Sequence, residues 1–141
     1  MSAGASIFVH PAAGLIGEPW TPERNCWWLV REYFARCRGL ALPELADLGA
    51  ALRASRWRRA DDAPRADDIV LMRAPLDARH VGVMLAADAR LWVLHCDGGP
   101  LPGGARCWGG VVWQPQELLI GAGYRDFEFW RLGDAAEAGA A

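Results

Sequence analysis

The sequence predicts an α+β fold, with N-terminal helices packed on a small antiparallel sheet. Two observations carry that reading. In the first third of the chain, apolar residues recur with helical spacing at 26, 29, 30, 33 and 37. Beyond residue 68 the period shortens to that of strands, in five brief runs bounded by Gly, Pro or Asp. Helices first and antiparallel strands afterwards define the class. At 141 residues the chain is long enough for one real core and too short for two.

Taken in order, residues 1–20 read as irregular, punctuated by "HP", "AAG" and "GEP". Asn25 is a good N-cap for the first helix, and Gly39 is a natural stop. Arg31, Glu32, Ala35, Arg36 and Arg38 fall on the outer side, which places Cys26 in the first turn in line with the buried stripe. "LPELADLGAALRASRWRR" (42–59) reads as a second helix or a broken pair. Two aspartate pairs, Asp61–Asp62 and Asp67–Asp68, bracket a proline-containing loop. Then come the strand-like runs "DIVLMR" (68–73), "HVGVMLA" (80–86), "RLWVLHC" (90–96), "GGVVWQ" (109–114) and "FEFWRL" (127–132). "PQELLI" (115–120) has room for one or two helical turns. One domain over 1–133 and a flexible tail over 134–141 are expected.

Composition excludes several classes. The net charge of -2 gives no reason to expect nucleic-acid or membrane-surface binding. No apolar run approaches a membrane span. The N-terminus lacks a charged stretch followed by an apolar one, so synthesis in the cytoplasm without a signal peptide is expected. All 15 basic residues are arginine, which carries no functional weight. Cys26, Cys37, Cys96 and Cys107 form no C-x-x-C pair, and His80, His95, Cys96 and Cys107 match no common structural zinc spacing. Neither metal nor cofactor is expected.

Three residues can be brought together by topology. A hairpin loop centred between Ala87 and Asp88 sets Leu85 opposite Arg90, Gly82 opposite Val93 and His80 opposite His95. Opposed Cβ atoms lie ~4.5–5.5 Å apart, close enough for an imidazole pair, and Gly82 beside His80 leaves an open spot on that face. Cys26 at a helix N-terminus, next to such a pair, would have its pKa lowered and become a nucleophile. His80 would then act as base, His95 would orient it, and the Cys26 N–H would meet the oxyanion. Spacing alone leaves the alternatives open, because free cysteine is among the most buried residue types and strand histidines are commonly structural.

Taken together, "IGEPW…NCWWLVREYF…LALPEL" and "ADDIVLMR…RHVGVMLAADARLWVLHC" resemble the NlpC-type cell-wall cysteine peptidases. The likeness is greatest to compact members encoded with tail-assembly genes of long-tailed phages. Those carry "G-x-P-Y…D-C-W-G-L-V", "G-D-[IL]-V", "H-V-G-[IV]" and a later "HA". The resemblance covers about residues 14–96, with an echo in "GYRDFEFWRL". It implies a papain-like domain with Cys26 as nucleophile, His80 as base and His95 as orienting residue. It further implies cleavage of peptidoglycan stem peptides, and other tail-tip proteins as partners. The place of action would be the virion tail, working in the periplasm or cell wall on entry. An inactive structural or assembly component of a tail tip is the second expectation.

Three positions depart from the family pattern. Asn25 stands where Asp is usual, and both cap helices. Trp28 replaces a glycine, so it either crowds the cleft or adds core. Trp20 falls near a family tyrosine whose hydroxyl serves the oxyanion, and an indole N–H is also a donor.

Elsewhere, "RASRWRR" (53–59) reads as a solvated face rather than a nucleic-acid patch. Core packing is the expectation for most of the eight tryptophans. "DGGPLPGG" (97–104) suits either a cleft rim or a plain turn. His10, before a proline in the irregular stretch, is set aside from the chemistry.

Overall fold

The computed structural model describes residues 6–44, 50, 52, 53 and 56–133. Six strands form one sheet: β1 (Trp57–Ala60), β2 (Ile69–Arg73), β3 (Arg79–Ala87), β4 (Arg90–Pro100), β5 (Cys107–Gln114) and β6 (Arg125–Leu132). Their order is β1-β6-β2-β3-β4-β5, and every neighbouring pair is antiparallel. Helix α1 is Cys26–Arg38 and α2 is Gln116–Gly121; two 3-10 turns, Ile7–Val9 and Pro11–Leu15, precede them. The α+β class is thus observed. Among the described residues no helix is long and apolar enough to cross a membrane.

Helix α1 begins and ends where its sequence says it should. The Asn25 side chain accepts a hydrogen bond from the Trp28 N–H at 3.1 Å, satisfying a donor that the first turn leaves free. Gly39 takes the left-handed conformation at the other end, and its N–H bonds back to Phe34. Leu29, Val30, Tyr33 and Phe34 are buried against Val81, Val83, Leu85, Leu94 and Cys96. Each such side chain contributes about 1.5–3 kcal/mol of burial. Side chains alternate across a strand, so the even residues of β3 and the odd residues of β4 face away from α1. There Val70, Met72, Met84, Val93, Leu119 and Tyr124 form a second, smaller cluster.

The stretch 42–59 corrects the sequence reading. Residues 42–44 are not helical, residues 50, 52 and 53 are, and the chain enters β1 at Trp57. The remaining positions of that expected helix, like the tail over 134–141, lie outside the described residues. Among the described residues, the long N-terminal helix packed on the sheet is α1. Trp57 decides the matter by packing: it is 3% exposed and meets the Phe34 ring edge-on at 5.2 Å. Its indole N–H is buried without a partner, a cost of about 1–3 kcal/mol. Burying the ring returns about 4–6 kcal/mol, so the strand wins over helical propensity.

The Asp67–Asp68 pair anchors β2. Asp68 is buried and held by a bidentate Arg131 guanidinium at 2.8 and 2.7 Å. Its backbone C=O accepts from Met84, while the Asp67 N–H donates to Met84. One carboxylate thereby joins the start of β2 to β6, and the backbone of the same pair joins it to β3.

Candidate functional site

Cys26 is the first residue of α1, half-buried against the cluster on that face of the sheet. The N–H groups of Val81, Trp27 and Cys26 itself face its sulfur and favour thiolate. Burial outweighs them and pushes the thiol pKa up. The lowered pKa expected for a helix-start cysteine is thus corrected: at rest the group is a thiol.

Sheet pairing explains why the Val81 N–H is free for the sulfur. Strands β3 and β4 pair from Ala87↔Arg90 back to Gly82↔His95, and β4 then continues paired with β5. Counting alternate positions from the turn, Val81 directs its backbone groups toward β4. With no β4 residue registered opposite it, the N–H turns to Cys26.

The histidines meet, by a different register from the expected one. Asp88 and Ala89 both have positive φ, 51° and 60°, and make a two-residue turn of the type that fits strand twist. The turn is therefore centred one residue later than expected, and His95 lies opposite Gly82, not His80. A shift of two residues preserves the face, so the rings still approach. His80 Nε2 and His95 Nδ1 stand 2.8 Å apart, with the rings nearly perpendicular. Gly82 is not the open spot it was expected to be. A Cβ there would come within 2.7 Å of the Leu94 carbonyl and 3.2 Å of the His95 Cβ. The glycine lets β4 close on β3 and brings His95 within reach.

Three further residues complete the cluster. Gln114 Oε1 lies 2.8 Å from His95 Nε2. Asp97, two residues beyond His95 on the same face, accepts a hydrogen bond from the Tyr124 hydroxyl at 2.8 Å. Tyr124 packs edge-on against both imidazoles, with centroids 5.6 Å and 5.9 Å away. Alternation along β4 signals Asp97 once His95 is chosen. Gln114 and Tyr124 come from distant segments and leave no such signal. Burial pushes the His80 pKa down to about 4, helped by charge on His95 and opposed by Asp97. His95, fully buried, is lowered by burial and opposed by Gln114 and Asp97. Both rings are therefore neutral near pH 7.

The ligand atoms of His80, His95 and Asp97 lie within 4.8 Å of one another, a set chemically able to hold a cation. Two imidazole nitrogens on one tetrahedral zinc would stand about 3.3 Å apart. At 2.8 Å the rings are a hydrogen-bonded pair instead.

The structure thus brings His80 and His95 together. Among the described residues no hydrogen bond joins Cys26 to either of them; its sulfur faces the peptide N–H that follows His80. Trp28 is half-buried against the α1-side cluster, with the Arg24 guanidinium 5.2 Å from its ring centre. Trp20 lies on Gly98, where a Cβ would clash with it at 2.7 Å, and its backbone N–H donates to the Gly109 carbonyl. Of the tryptophans only Trp108 is largely exposed, at 50%. The "DGGPLPGG" stretch extends the β4–β5 hairpin. His10 Nδ1 accepts from the Ala12 N–H and caps a 3-10 turn. Cys96 pairs with Val111, four residues along β5 from Cys107, and all four cysteines are free. Comparison of the chain with family models, curated proteins and solved structures finds no match.

Proposed function

We propose that this chain is a papain-like cysteine peptidase or amidase of the NlpC type that cleaves peptide stems of bacterial peptidoglycan. One observation carries the reading: the hydrogen-bonded His80–His95 pair sits one peptide away from the N–H that faces the Cys26 sulfur. The order Cys26, "DIV", "HVGV", His95 along the chain supports the same assignment. Cys26 Sγ attacks the amide carbonyl, forming a C–S bond while its proton passes to His80. Because burial holds both groups neutral at rest, that proton moves as the sulfur approaches carbon. N–H groups of the first turn offer hydrogen bonds to the oxyanion. The imidazolium then protonates the leaving amine as the C–N bond breaks, and water hydrolyses the thioester. Asn25 holds the helix start. The place of action is a phage tail, with other tail-tip proteins as partners.

A second reading has its own support. The raised Cys26 pKa and the packing of Cys26 and Trp28 into the α1-side cluster suit an inactive tail-tip assembly module. Purified protein incubated with muropeptides of several cell-wall chemotypes separates the two. The peptidase reading expects new amine and carboxyl termini by mass spectrometry, lost in Cys26→Ala. Intact muropeptides of every chemotype, together with a Cys26 inert to iodoacetamide, would leave the assembly module.

A further inference from the structure

We infer that Gln114 is a positioning residue that sets the direction of the imidazole relay, leaving His80 Nδ1 as the bare nitrogen that receives the thiol proton. The inference rests on the peptidase reading for its use, but not for its geometry. Gln114 closes β5 opposite Val93, on the face that carries His95. Its Oε1 stands 2.8 Å from His95 Nε2. An amide oxygen can only accept, so His95 Nε2 carries the hydrogen. A neutral imidazole has one N–H, so His95 Nδ1 holds a lone pair. That nitrogen is 2.8 Å from His80 Nε2, which must therefore donate. The hydrogen of His80 is then spent on Nε2, and Nδ1 is left free.

The opposite direction belongs to the flipped Gln114 amide, with its NH2 rather than its Oε1 toward His95. With an amide NH2 group facing His95, the hydrogens would reverse along the whole relay. His80 would then carry its hydrogen on Nδ1 and could accept nothing from a thiol. The peptide side chain two strands away thus decides which nitrogen of the base is basic.

Long-range 1H–15N spectra of the full chain at neutral pH read this directly, with the three histidines assigned by single substitutions. The expected native pattern is pyridine-type Nδ1 and pyrrole-type Nε2 on both His80 and His95. Gln114→Leu removes the acceptor and should give averaged shifts on both rings, with Cys26 alkylation by iodoacetamide slowed about threefold to tenfold. Gln114→Glu keeps an accepting oxygen and should restore the native pattern. A pyrrole-type Nδ1 on native His80, or unchanged tautomers in Gln114→Leu, would overturn the inference. If Gln114→Leu fails to fold, the native spectrum decides alone. The expected tautomers without any muropeptide cleavage would remove the peptidase reading and keep the role of Gln114. Cleavage with reversed tautomers would do the opposite.

Discussion

On the α1 side of the sheet, Leu29, Val30, Tyr33 and Phe34 meet Val81, Val83, Leu85, Leu94 and Cys96 in a continuous apolar layer. On the other side Met84 and Val93 give way, along the same two strands, to His80, His95 and Asp97, closed over by Tyr124. The first layer is non-directional and tolerates chemically similar replacements. The second is a chain of directed hydrogen bonds in which each partner fixes the next. By packing, Cys26 belongs to the first face and His80 to the second. Beyond Gly82 β4 is no longer registered against β3, and there the Val81 N–H faces the Cys26 sulfur. A β3–β4 pairing that continued past Gly82 would engage the Val81 N–H and take it from the Cys26 sulfur.

The largest expected effect tests whether the faces cooperate. In His80→Ala, muropeptide cleavage should fall about 10³-fold through loss of the base, with the α1-side core unaffected. Near-normal turnover in that variant, measured by product mass spectrometry, would mean the imidazole face takes no part in the chemistry.

The next change attacks the apolar face alone. Leu29 is fully buried, and Leu29→Ala should cost about 3 kcal/mol in urea unfolding. The His80 and His95 nitrogen shifts should stay as in the native chain. A changed tautomer pattern would show that the two layers are coupled more tightly than their packing suggests.

What could be read from sequence divides along the same line. The apolar face was legible: helical spacing, Asn25 and Gly39 gave α1 with both caps, and alternation gave β2 to β6. Trp57 escaped because its strand exists only through burial against Phe34, a contact no local window contains. The polar face was legible in parity, not in register. The sequence "AADA" conceals a turn at Asp88–Ala89, since alanine rarely adopts φ of 60°. His80 and His95 survived the error because a two-residue shift keeps side chains on their face. Gln114 and Tyr124 stayed hidden because only folding brings them to the rings. Burial also reversed the expected direction of the Cys26 shift: spacing put Cys26 in line with the buried stripe, but did not show that desolvation would outweigh the N–H groups around the sulfur.

Acid should sharpen the contrast. His80 titrates at about 4 in the folded chain against 6.5 ordinarily, so the unfolded state binds the extra proton first. Its contribution to stability is complete above pH 6.5 and is lost as pH falls toward 4, to the extent of about 2–3 kcal/mol. Carboxylates titrate in the lower part of that window. The difference between native chain and His80→Gln, in urea midpoints at pH 7 and pH 4.5, isolates the imidazole. Equal acid sensitivity in both would remove His80 as the source.

The smallest effect examines how the polar face is held closed. The Tyr124 hydroxyl donates to Asp97 Oδ1, and the ring covers both imidazoles. Tyr124→Phe keeps the ring and deletes one hydrogen bond, so stability at pH 7 should fall by about 1 kcal/mol. The consequence for titration has a definite sign. Asp97 already raises the His80 pKa against the effect of burial. Without the hydroxyl, its carboxylate charge acts on the rings with less compensation. The folded pKa of His80 should therefore rise from about 4 toward 6.5, and the acid-linked loss should shrink. A variant less stable at pH 7 yet less acid-sensitive is a combination that loss of packing alone does not produce. Parallel loss at both pH values would reduce Tyr124 to a lid and leave Asp97 without influence on the rings.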